Sequence, residues 1–124
     1  MAAQVLSGTG EVSYTNSTGQ NVRLVINYLK LGGLQAQECT VTFGGVSLKL
    51  GGDQTFGKYL AFSTPSAGNR YNSSMKSKGA GTENKGEMPM EIALANGDTF
   101  AITKGSLAVT EIEGYNIIII PEAG

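Results

Sequence analysis

The residues with chemical potential in this chain are few, and each has a specific weakness. Glu111 and Glu113 lie two apart, so a strand through Leu107–Ile112 would carry them on one face. Paired carboxylates are the machinery of glycoside hydrolysis, and with Glu91, Asp98 and Asp53 they could supply oxygens to a hard cation. No Asp/Asn-rich calcium loop accompanies them, and solvated charges on a strand face account for the same pattern. Gly52 to Tyr59 (G-D-Q-T-F-G-K-Y) copies the front of a phosphate-binding loop. It puts Tyr59 where a Ser or Thr hydroxyl must reach magnesium, and no helical pattern follows. Cys39 alternates with Val41 and Phe43, as a small buried hydrophobe would. Asn16-Ser17-Thr18 and Asn72-Ser73-Ser74 have the form of glycosylation acceptors.

What is missing prunes further. The 124 residues include no His, no Trp and one Cys, so a Ser-His-Asp triad, a Cys-His pair, a Cys/His zinc site and an intramolecular disulfide are all excluded. A formal charge of -1 argues against nucleic acid as a partner. The longest apolar run, Ile117–Ile120, is far too short to span a bilayer as a helix, and no secretory leader is expected from the first residues. No cofactor, metal or catalytic residue is expected, and the chain reads as non-enzymatic.

The elements that position these residues are strands. A period of two runs through most of the chain. In Asn21–Leu31, Val22, Leu24, Ile26 and Tyr28 fall on one face, and Arg23, Val25, Asn27 and Leu29 on the other. Glu38–Phe43 and Val46–Leu50 alternate around Gly44-Gly45, which predicts a hairpin with a primed turn. Met90–Ala95 and Thr99–Thr103 alternate around Asn96-Gly97-Asp98, which predicts a second hairpin. In Leu107–Ile112, Leu107 and Val109 share a face. Gln4–Ser7 and Glu11–Thr15 add short strands, and Asn16–Gln20 is a turn. Ile117, Ile118, Ile119 and Ile120 are β-branched without interruption, as in a strand apolar on both faces, either central or covered by a partner chain. Pro121 ends that strand.

Seven to nine short strands between Gly/Asn turns predict an all-β fold, a single antiparallel β-sandwich of jelly-roll-like form spanning 1–124. Met1–Gly10 is expected to be an N-terminal arm. Ser63–Glu87, polar and punctuated by Gly and Pro, is expected to be one long protruding loop. Asn69, Arg70, Tyr71 and Asn72, with Lys76 and Lys78, make that loop a candidate contact for a protein or glycan. Val5, Leu6 and Ile117–Ile120 are the candidate interface, because a small sandwich covers one face of a strand more easily than two.

The stretches Met90–Phe100 (M-E-I-A-L-A-N-G-D-T-F), Gly114–Gly124 (G-Y-N-I-I-I-I-P-E-A-G) and Asn16–Tyr28 (N-S-T-G-Q-N-V-R-L-V-I-N-Y) resemble small all-β virion proteins of marine and cyanobacterial tailed phages. The resemblance carries no catalytic residue. It implies a structural role in the virus particle: a capsid decoration or cement protein that ties capsomers together, commonly as a homotrimer, with the major capsid protein or other virion proteins as partners. The alternative it leaves is a tail, baseplate or fibre-associated module binding a host surface protein or glycan.

Overall fold

The computed structural model describes residues 2–34, 36–57, 70–72, 75–78, 84–88 and 90–122. Among these residues twelve strands follow in chain order: β1 (Gln4–Gly8), β2 (Val12–Thr15), β3 (Val22–Leu31), β4 (Glu38–Phe43), β5 (Val46–Gly51), β6 (Gln54–Phe56), β7 (Arg70–Asn72), β8 (Met75–Lys78), β9 (Asn84–Met88), β10 (Glu91–Leu94), β11 (Thr99–Thr103) and β12 (Ile112–Pro121). There is no α-helix among the described residues.

The strands form two sheets that pack as a β-sandwich. Sheet A has the order β1-β12-β3-β6-β7, with β10 also pairing β3. Sheet B has the order β2-β11-β4-β5-β8-β9. Among the described residues all pairings are antiparallel except β6 with β7, which run parallel. Strand β3 organises sheet A. Along one side it pairs β12 over nearly its whole length; along the other it pairs β10 through Val22–Val25 and β6 through Leu29–Leu31. The inner faces meet in a core of Leu24, Ile26, Ile117 and Ile119 from sheet A against Val41, Leu50, Phe100 and Ile102 from sheet B, all 2% exposed or less. Outward positions of sheet B carry Ser13, Thr15, Thr42, Thr99 and Thr103, β-branched or small residues whose hydroxyls face water.

The Gly44-Gly45 hairpin forms as expected. The two glycines have φ of 53° and 83°, the left-handed pair that a type I′ turn requires, and Phe43 pairs Val46 across it.

Four expectations are corrected. First, Asn96-Gly97-Asp98 does not close a hairpin. Strand β10 pairs β3 in sheet A and β11 pairs β2 and β4 in sheet B, so the turn carries the chain from one sheet to the other. Second, alternation in β3 changes phase. Ile117 pairs Ile26 and Asn116 pairs Tyr28, leaving Asn27 as an extra residue. Val22, Leu24 and Ile26 point inward before this bulge. Leu29 and Leu31 point inward after it, at 1% and 0% exposure, while Tyr28 turns outward over Gly114. Third, Val109–Glu111 is a turn of 3-10 helix rather than strand. Leu107 is buried, but Val109 is exposed. Fourth, segment 63–87 is not one loop. β7 joins sheet A beside β6, while β8 and β9 join sheet B beyond β5. Ladder bonds are made by the backbone, so β7 and β9 at the sheet edges, and β8 next to β9, form without the apolar alternation that marks central strands.

The β10–β11 crossover is fixed by Asn16, which is fully buried. Its Nδ2 donates to the Gln20 carbonyl at 2.8 Å and to the Leu94 carbonyl at 3.0 Å. Its Oδ1 accepts from the Thr18 N–H at 3.1 Å and from the Thr18 hydroxyl at 2.7 Å. Its backbone N–H donates to Asp98 O at 2.9 Å and its carbonyl accepts from Gly97 N–H at 2.7 Å. One residue thereby joins the β2–β3 crossover to the β10–β11 crossover. Asn16→Ala is expected to lower unfolding free energy by about 2–4 kcal/mol, because two carbonyls and the Thr18 donors lose their buried partner. Urea denaturation of the two proteins measures it, and a loss below about 0.5 kcal/mol contradicts the clasp.

Candidate contact surface

The first two strands are the edges of the two sheets: β1 in sheet A and β2 in sheet B. Only Thr9, Gly10 and Glu11 separate them. Three residues reach about 10 Å, which is about the spacing of packed sheets, so the two edges lie on one flank. The short strand expected at Gln4–Ser7 forms within the segment also read as an N-terminal arm. Gln4–Gly8 pairs antiparallel with β12, Val5 opposite Ile118 and Leu6 opposite Ile117.

Natural sheets guard an edge with charge, proline or a covering element. Neither Gln4–Gly8 (Q-V-L-S-G) nor Val12–Thr15 (V-S-Y-T) contains a charged residue or a proline. Leu6 turns toward the core and is partly buried against it, while Val5 is 57% exposed. On the outer face of sheet A, Val5, Ile118 and Val25 form one cross-strand row. Val25 is buried and Ile118 half-buried, so exposure of the row rises toward the β1 edge. In the neighbouring row Ile120 lies beside Arg23. Arg23 pairs with Glu91 at 2.7 Å and with Glu122 at 3.9 Å, giving the apolar strip a charged border. The four isoleucines therefore divide. Ile117 and Ile119 are fully buried in the core, and Ile118 and Ile120 belong to the outer, partly covered face of a central strand.

A shallow groove of about 340 Å³ lies along the same flank, lined by Glu11, Val12, Ser13, Ala101, Ile102 and Thr103. Its one carboxylate, Glu11, accepts from the Lys104 N–H at 2.9 Å.

The other candidates resolve differently. Glu111 and Glu113 are separated by the end of the 3-10 helix and by a second bulge, at Glu113, so they do not share a strand face. Glu111 accepts from the Ala108 N–H at 2.7 Å and closes the helical turn. Glu113 pairs with Lys30 at 3.7 Å. Both carboxylates hold local structure, and no group of three or more His, Cys, Asp or Glu able to hold a metal occurs among the described residues. The phosphate-loop lookalike has β6 at its centre, with Gln54 and Thr55 buried. A Cβ on Gly52 would sit 2.6 Å from Leu34 O and 2.7 Å from Gly32 O, so that glycine permits a close backbone approach. Asn16 is fully buried with both amide hydrogens donated, which removes it as a glycan acceptor. Of the loop candidates, Arg70, Tyr71 and Asn72 lie on β7 in sheet A, whereas Lys76 and Lys78 lie on β8 in sheet B. The two groups are thus placed in opposite sheets. Asn69 falls outside the described residues.

Cys39 is fully buried between Val41 and Leu50. Burial pushes its thiol up from 9.0 to about 12, with hydrogen bonding to the backbone opposing the shift. A raised thiol pKa favours the native state while the thiol stays protonated. That contribution is complete below about pH 9 and is lost as pH rises toward 12. Thiol reagents at pH 8 are expected to label Cys39 only after denaturation, and rapid labelling of the native protein contradicts its placement. The division of the isoleucines is tested by a pair of variants. Ile119→Asp is expected to destabilise by about 4 kcal/mol or more and Ile118→Asp by about 1–2 kcal/mol, read by urea denaturation; equal losses contradict it. No family model matches this chain, and no match was found among the curated proteins or the solved structures.

Proposed function

We propose that the chain is a non-enzymatic structural protein of a tailed-phage particle, a capsid decoration or cement protein that acts by contact with capsomers and with copies of itself. The observation that carries this reading is the flank made by β1 and β2. Two uncharged, proline-free edges lie side by side there, bordered by the outward row of Val5 and Ile118. An edge of this kind offers free backbone donors and acceptors, and the exposed side chains beside it supply apolar area once a partner covers them. The sequence resemblance supplies the virion setting, and a homotrimer or a contact with the major capsid protein is the form of cover it favours. A tail-associated module that engages a surface glycan is the second reading. It draws on Arg70–Asn72, which form the opposite edge of sheet A.

Two measurements test the proposal. Quantitative mass spectrometry of particles carrying the chain is expected to find it at a copy number comparable to the major capsid protein; a few copies per particle overturns the capsid reading in favour of the tail. Light scattering at micromolar concentration is expected to show an oligomer that Val5→Lys converts to monomer with little change in unfolding free energy. An unaltered mass for Val5→Lys, or a monomeric parent protein, removes self-contact through this flank.

A further inference from the structure

Asn96-Gly97 is the residue pair most open to a covalent change. An asparagine side-chain amide followed by glycine is the least hindered arrangement for attack by the next backbone nitrogen. Both residues are exposed to water. Two hydrogen bonds bear on the reacting atoms. The Gly97 N–H, the nucleophile, donates to Asn16 O at 2.7 Å. Oδ1 of Asn96 accepts from the Gly19 N–H at 2.8 Å. A third bond, Asp98 N–H to Ala95 O at 3.0 Å, closes the turn, with Gly97 at a φ of 93°.

We infer that Asn96 is a latent deamidation site, held shut by the bond from Gly97 to Asn16 and opened when the crossover clasp comes apart. In the closed state the Gly97 nitrogen keeps its proton on a carbonyl and cannot attack. When the clasp opens, hydroxide removes that proton and the nitrogen adds to Cγ of Asn96. A C–N bond forms, the Cγ–Nδ2 bond breaks, and Nδ2 leaves as ammonia after taking up a proton from water. The resulting succinimide adds water at either carbonyl and gives Asp or isoAsp at position 96. The Gly19 N–H does not oppose this step. It polarises the amide it holds, so release of Gly97 alone exposes an activated carbonyl. The isoAsp product carries an extra methylene in the backbone, which displaces Gly97 N–H from Asn16 O. The corner that opened reversibly then cannot close as before, and the change makes one crossover opening permanent.

The test follows conversion at Asn96 by peptide mapping, with isoAsp distinguished from Asp by fragment ions. Full-length protein is incubated in mildly alkaline buffer, native and in denaturing urea. Native protein is expected to convert at least about tenfold more slowly than the unfolded chain, because a local opening must come first. Equal rates overturn the inference, as does a native rate that exceeds the unfolded one. Asn16→Ser, if it folds, is expected to speed native conversion several-fold, and an unchanged rate in a folded Asn16→Ser protein removes the clasp as the restraint. The native-to-urea comparison needs no variant and decides whether the folded turn protects Asn96; the Asn16→Ser rate decides whether the clasp is what protects it.

Discussion

Two of the crossovers that make the sandwich depend on Asn16. A two-sheet fold must carry its chain from one sheet to the other, and each crossover leaves backbone groups without a ladder partner. Here two crossovers, β2 to β3 and β10 to β11, meet at one place, and Asn16 answers for both. Its side chain uses both donor hydrogens, and its acceptor oxygen takes two bonds from Thr18. Because the amide is fully buried, loss of any partner leaves a polar group with no water to turn to. Apolar side chains in the core tolerate shape changes that conserve volume. A buried amide with a specified partner at every position does not, and it therefore fixes how the β2–β3 and β10–β11 connections meet.

That constraint explains what could be read from the chain and what could not. The period of two in Glu38–Phe43, Val46–Leu50 and Thr99–Thr103 reports a half-buried strand directly, because each residue either meets the core or does not. Gly44-Gly45 reports its own turn, because a left-handed pair needs glycine. Asn96-Gly97-Asp98 has the same local chemistry as a hairpin turn, yet the strands on either side belong to different sheets. A turn states that the chain reverses, not what it pairs with afterwards; the bonds that hold this one come from Asn16, eighty residues away. The Asn27 bulge was legible in principle. Val22, Leu24 and Ile26 are apolar in one phase, Leu29 and Leu31 in the other, and the break at Asn27-Tyr28 is the signal. The strands within 63–87 carry no such signal: β7 and β9 are sheet edges and β8 is next to one, and their ladders are made by the backbone.

The candidate surface rests on the β1 edge and not on the isoleucine run as a whole. Four β-branched residues in a row imply a strand with cover on both faces. In the fold the run is central, with β1 and β3 on its sides, and its two phases have separate tasks. Ile117 and Ile119 bind the sheets together. Ile118 shares the outward row with Val5 and Val25, which leads to the edge at β1.

The edge and the clasp are linked through topology. Strand β2 begins at the open flank and runs directly into Asn16, and its partner β11 begins just after the Asn96-Gly97 turn that Asn16 holds. The register of β2 against β11, with Thr15 bonded to Thr99 at 2.8 Å, is therefore set next to the clasp and transmitted along β2 toward Glu11 and the groove. A partner adding a strand to this flank would bind backbone groups whose spacing the clasp has already fixed. An unguarded edge is an aggregation hazard when its strand can slip or fray, and a specific contact when it cannot. The same uncharged strands thus change meaning according to how firmly their far end is held, and here that end is held by a fully buried amide with a partner for every donor and acceptor it has.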